Sequence, residues 1–184
     1  MLLPLISRDA PARLLRRFRR SRTASAAVEF AFIAPVFFAL LFALIETGMV
    51  FFAGQVLETA VQDTSRTFYT NKTISQSDYE TAICNRVKVL MDCANLRNDV
   101  QTYAAGTTIT IKDPIDASGN FADSFAWNPP AAGDVTSTVV ARAFYRWPLF
   151  VTQLGYNIAN IGRSDANVSN RKRLLAATAA LRPQ

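Results

Sequence analysis

The chain holds two cysteines and no histidine among its 184 residues, which limits the chemistry open to it. Without histidine, Ser-His and Cys-His nucleophilic pairs and histidine-based zinc sites are excluded by inventory, and two thiols cannot form a four-thiolate site. A hydrolase would have to rest on a Ser-Lys dyad or on paired carboxylates, and no spacing marks either. The expectation is no enzyme, no cofactor and no metal. The residues that do call for chemistry are Glu29 and Glu46, because both interrupt an otherwise apolar run. A carboxylate in hydrocarbon costs about 2.5–3.5 kcal/mol at a helix centre. Glu29 stands at the margin of the run, where its head group reaches water. Alternatively, if the chain is cut shortly before it, a new α-amine lies one turn away. A neighbouring chain's amine would then offset the desolvation and fix the register between subunits. Glu46 follows seventeen residues later, roughly 25 Å along a helix axis. It either snorkels to the outer boundary or faces another protein helix, so both acids are candidates for subunit pairing.

Cys84 and Cys93 are nine residues apart. Outside the cytoplasm they are expected to form a disulfide, the alternative being two free buried thiols. Closing so short a loop stabilises by roughly 2–3 kcal/mol. The spacing is not CxxC, which disfavours a redox-active pair. Arg142, Tyr145, Arg146 and Trp147 read either as a cation–aromatic patch or, preferably, as a half-exposed strand. Asp113, Asp116 and Asp123 share a loop, but their spacing fits no EF-hand calcium site.

The elements that position the two glutamates begin with the run itself. Residues 30–45 read FAFIAPVFFALLFALI without a charge, and after Glu46 the run resumes to Leu57. Counted over residues 30–53 it spans 24 positions, or roughly 36 Å of helix against a hydrocarbon core of about 30 Å. Phe and Leu occupy every face, leaving none for water. Pro35 removes one backbone bond and crowds the carbonyl of Ala31, so a kink is expected there.

The charge pattern orients this segment. Residues 1–24 hold seven arginines, among them Arg16, Arg17, Arg19, Arg20 and Arg22, against a single acid, Asp9. The whole formal charge of +6 therefore sits ahead of the apolar run, and the rest of the chain is balanced. Such a block holds the N-terminus in the cytoplasm and sends the C-terminal part across the membrane. It does not read as a nucleic-acid surface, because the remaining chain offers no basic face. An ordinary cleaved secretory signal fits poorly. The apolar run is too long, and the small residues Thr23–Ala27 precede it instead of following it.

The string RTASAAVEFAFIAPVFFALLFALIETGMVFFAGQVLETAVQDTSR resembles the N-terminal signature of TadE-like proteins, pseudopilins or minor pilins of the Tad (Flp, tight adherence) pilus system. The matching features are small residues before Ala27-Val28-Glu29-Phe30-Ala31, then Pro35, Ile45-Glu46 with Gly48, and Gln55, Ala60 and Arg66. The resemblance covers about 45 residues. It implies cleavage by a prepilin peptidase between Ala24 and Ser25, which makes Glu29 the fifth residue of the mature chain. Family members usually carry glycine where this chain has Ala24. It also implies other pilins or pseudopilins and the Tad assembly machinery as partners, with the inner membrane, and then the pilus or cell surface, as location.

Beyond the membrane the helical spacing of Val56, Leu57, Ala60, Val61, Thr64 and Phe68 predicts a continuation to about Tyr69. A second helix is expected from an N-cap at Ser77, with Glu80 completing a capping box, and an apolar stripe of Ile83, Val87, Leu90 and Met91. Strands are expected at 100–104 and 107–112 around a tight Ala105-Gly106 hairpin, and at 135–147. Residues 113–134 and 148–170 read as irregular. Composition leaves 171–182 open between helix and strand, and the resemblance favours a final antiparallel strand. The expected fold is α+β and pilin-like: a basic leader (1–24), a transmembrane helix with its extension (25–69), and a periplasmic domain (70–184) with a second helix and an antiparallel sheet. The functional reading is a structural pilin-like subunit. Its competitor is an uncleaved single-pass membrane protein whose outer domain binds a partner or ligand.

Overall fold

The structure is a computed structural model that describes residues 22–70, 74–122, 125–163 and 165–182. Arg16, Arg17, Arg19, Arg20, Asn71 and Asp123 lie outside the described residues, as do the side chains of Arg22, Ala24 and Ser25. The fold class is α+β, as expected. Helix α1 is Arg22–Tyr69 and helix α2 is Gln76–Val87, followed by strands β1 (Leu96–Tyr103), β2 (Thr138–Pro148) and β3 (Lys172–Leu181). The strands form one antiparallel sheet in the order β1-β2-β3. The chain divides into two compact units, Met1–Phe42 and Ala43–Gln184, and α1 contributes to both.

In the first unit α1 runs through Pro35 without interruption. Its large side chains, Val28, Phe30, Phe32, Ile33, Val36, Phe37, Leu40 and Leu41 among them, are exposed. In the second unit the same helix changes character. Val50, Ala53, Leu57, Ala60, Val61, Ser65 and Phe68 are buried at intervals of three and four, the stripe a helix needs to cover a core on one side. They pack with Tyr79, Ile83 and Val87 of α2 and with Val100, Val139, Ala141, Ala143, Leu175, Ala177 and Ala179 of the sheet. Residues 43–69 of α1 thus belong to the second unit and serve as its core helix.

Strand β2 is buried along nearly its whole length because both its faces are covered. Val139, Ala141, Ala143, Tyr145 and Trp147 join the helical core. On the other face Phe144 packs with Ile161 and Leu174, flanked by Ile115, Phe121 and Phe125 from the long connection. That connection is irregular, as expected, yet it also closes the sheet edge. Val100 N–H donates to Ala126 O at 2.9 Å, Asn128 N–H donates to Val100 O at 2.8 Å, and the Trp127 ring lies tilted against Tyr79 with centroids 5.3 Å apart.

Three expectations are corrected. The N-cap of α2 is Ser75, whose Oγ accepts from Asp78 N–H at 3.1 Å, and not Ser77; the helix ends at Val87, so Leu90 and Met91 follow it in turns. Residues 105–106 do turn, with Gly106 at φ +79°, but among the described residues 107–112 form no strand. Strand β1 pairs with β2 instead, because that register buries Leu96, Val100 and the apolar side of β2 together, whereas Ile109 and Ile111 stay exposed. Finally, β1 begins at Leu96, with Asp99 buried inside it.

Candidate functional site

Chemistry in this chain is concentrated along α1. A stretch of it, Ala26–Phe68, is apolar and long enough to cross a membrane. Exposure narrows the part that is left uncovered among the described residues. From residue 26 to residue 45 the large side chains point outward, and the first buried residue after them is Glu46. About 20 residues of helix make roughly 30 Å, the thickness of a hydrocarbon core. An all-round greasy surface of that length is stable in lipid and not in water. Glu29 is exposed near the start of this stretch.

Glu46 is 6% exposed, and the structure supplies its donors from within the chain. Its carboxylate accepts the backbone N–H of Phe150 and, at 3.2 Å, that of Val151. These N–H groups open the short helical turn Val151–Leu154, where no helical partner exists for them. Beside the expected alternatives for Glu46, snorkelling or a partner helix, the structure shows a link within the second unit between α1 and the segment leaving β2. One residue on, Thr47 Oγ lies 3.0 Å from Tyr156 Oη. The two contacts bind the 150–156 segment to one turn of α1.

Cys84, on α2, and Cys93, opening the turn Cys93–Asn95, are joined as a disulfide with Cα atoms 5.6 Å apart. The bond ties the end of α2 to the start of β1. Helix α2 is held to α1 by the buried Ser65 Oγ···Tyr79 Oη contact of 2.9 Å, and burial pushes the Tyr79 phenol up to about 12 although Ser65 opposes the shift. An open groove between the helices is lined by Gln55, Val56, Thr59, Ala60, Asp63 and Arg86.

The reading of Arg142 as part of a half-exposed strand is overturned. Arg142 is buried and directly opposite Asp99 in the β1–β2 register. Its Nη2 lies 2.5 Å from Asp99 Oδ2, Nε donates to the same oxygen at 2.9 Å, and Nη1 donates to Lys112 O at 2.8 Å. Burial pushes the Asp99 carboxyl up. The hydrogen bonds from Ala126 N–H, Arg142 and Gln101, with the guanidinium charge, outweigh it and hold the group below the usual carboxylate range. Arg142 sits over Phe144 at 5.2 Å and Arg146 over Phe121 at 5.5 Å, while Tyr145 and Trp147 belong to the core. The cations and rings are thus brought together, but to one another inside the fold. In the loop, Asp113 accepts from Ile115 N–H, and Asp116 accepts from Ser118 N–H and Asn120 N–H. Both act as turn-forming side chains. Asn167 accepts from Ser169 N–H in the same manner.

Sequence reasoning missed the partners of Glu46 because they are backbone groups about a hundred positions away, which no side-chain pattern marks. The one available signal was physical: a carboxylate in an apolar run needs donors. Asp99 was missed because it stands in a polar string, LRND, that reads as surface.

The family model described as TadE-like protein matches residues 24–66. No curated protein and no solved structure matches the chain. The matched segment is the one that carries Glu29, Pro35, Glu46 and the exposed apolar helix. It gives the chain a TadE-like N-terminal region, an association with the Tad pilus machinery, and a membrane anchor in the cell envelope.

Proposed function

We propose, with the TadE-like region as premise, that this chain is a pilin-like structural subunit, a minor pilin or pseudopilin, that takes part in Tad-type pilus assembly. The observation that carries the reading is the position of the family match. It starts at residue 24, next to the small residues that precede Glu29, at the head of an apolar helix with no cover of its own. In this reading the arginine block keeps the N-terminus in the cytoplasm of an inner-membrane protein, and the second unit lies in the periplasm. A prepilin peptidase cuts between Ala24 and Ser25. The leader takes all of the net +6 with it, so mature chains stack without net repulsion. The new amine on Ser25 lies about one turn from Glu29, close enough for the acid of one subunit to meet the amine of its neighbour and set the axial register. No step of this role calls for catalysis.

The test is Glu29→Ala in a piliated host. The variant is expected to remain in the membrane fraction at normal abundance while pilus formation is lost or strongly reduced. Normal piliation by that variant would contradict the pairing role of Glu29.

A further inference from the structure

The connection from β2 to β3 carries Arg163, Asp165 and Arg171 near its end and no charge before them. Between β1 and β2 the chain carries Lys112, Asp113, Asp116, Asp123 and Asp134, whereas residues 148–162, PLFVTQLGYNIANIG, carry none. In this uncharged segment Phe150 is 73% exposed and the Tyr156 ring 39% exposed. Exposed aromatic rings on an uncharged loop cost solubility and gain nothing unless something covers them. The placement of these two is fixed. Phe150 N–H is held by the Glu46 carboxylate, and Tyr156 Oη meets Thr47 Oγ, so both rings stand beside the turn of α1 that directly follows Leu44 and Ile45. Leu44 and Ile45 are themselves exposed, as are Phe51 and Phe52 one to two turns further on. All these residues belong to the same compact unit.

We propose that the 148–162 segment is a second membrane contact, seated in the interfacial layer of the bilayer where α1 leaves it, with the Glu46 carboxylate as the latch that holds it there. The occupant follows from continuity. The helix is bare on all sides up to residue 45, which only hydrocarbon satisfies, and the segment is bonded to residues 46 and 47. Aromatic side chains with an apolar body and a hydrogen-bonding end belong in that layer. Two backbone N–H groups stand in for water as donors to the Glu46 carboxylate there. The consequence is that the second unit meets the membrane through two attachments, a helix and a loop.

The inference rests on the spanning reading of α1, and one experiment separates the two. The full chain is reconstituted into phosphatidylcholine–phosphatidylglycerol vesicles with acyl chains brominated near the carbonyl end, and floated on a density gradient. Three variants are compared, Phe150→Trp, Tyr156→Trp and Val89→Trp, the last at a position 88% exposed in the turn after α2. The emission added by each tryptophan, relative to the unsubstituted chain, is read in brominated and plain vesicles. At positions 150 and 156 bromine is expected to lower it by at least about twofold, as for a ring at headgroup level, and to leave position 89 unchanged. Flotation with no quenching at either 150 or 156 would overturn the loop contact while leaving the spanning helix standing. Failure to float would overturn both.

Discussion

Glu46 is the residue on which the two halves of α1 turn. On its N-terminal side the described large apolar side chains, from Val28 to Ile45, are exposed, and on its C-terminal side one face of the helix is core. An acid at such a boundary is stable only with donors, and it takes them from Phe150 and Val151. A hydrogen bond from a buried N–H to a charged acceptor contributes about 1.5–3 kcal/mol, and removing the acceptor also leaves the N–H groups without a partner. Glu46→Ala is therefore expected to destabilise the second unit by about 2–4 kcal/mol, measured as a lowered thermal midpoint of the detergent-solubilised chain. An unchanged midpoint would show that the latch carries no stability. Glu29 differs in kind. It is exposed in the first unit, and its proposed role is between chains.

At the scale of elements, the sheet is locked across β1 and β2 by Asp99 and Arg142. A buried ion pair is costly to break by removing one partner, about 3–5 kcal/mol. The Asp99 carboxyl is held below its ordinary range, so the folded state binds its proton less readily than the unfolded chain does. The stabilisation is complete above the ordinary carboxylate value of about 3.9 and is lost as pH falls through the lower folded value. Circular-dichroism melts between neutral pH and about pH 2.5 should show the midpoint falling on the acid side, with a shallower fall in Asp99→Asn. Curves of equal slope would remove Asp99 from the acid response. These elements were unequally legible in the sequence. The long helix and the final strand followed from an uncharged run and from the resemblance, and β2 from its β-branched and aromatic residues. The hairpin at 105–106 did not form because TTITIK buries nothing, and the true partner of β1 lies beyond a long loop that local patterning cannot span. The N-cap shifted from Ser77 to Ser75 because two serines compete two positions apart, and Asp78 N–H, not Glu80, meets the cap. Of the candidate residues, Glu29 and Glu46 were legible as anomalies in hydrocarbon, but the donors of Glu46 were not. Its acceptors are side-chain atoms and its donors are main chain, which carries no sequence identity.

The chain combines an exposed apolar helix with a disulfide-tied second unit, and its net formal charge of +6 is that of the first 24 residues, the rest being balanced. In the proposed reading such a chain is held in a bilayer until a peptidase removes its basic end. The central claim is that removal, and the intact mass of the protein extracted from membranes after coexpression with a prepilin peptidase tests it most directly. The mature chain is predicted to begin at Ser25, and Ala24→Arg, which puts a bulky charge at the cut, is predicted to retain the leader. A mature chain beginning at Met1 or Leu2 in the presence of active peptidase would contradict the account and mark the protein as an uncleaved single-pass anchor.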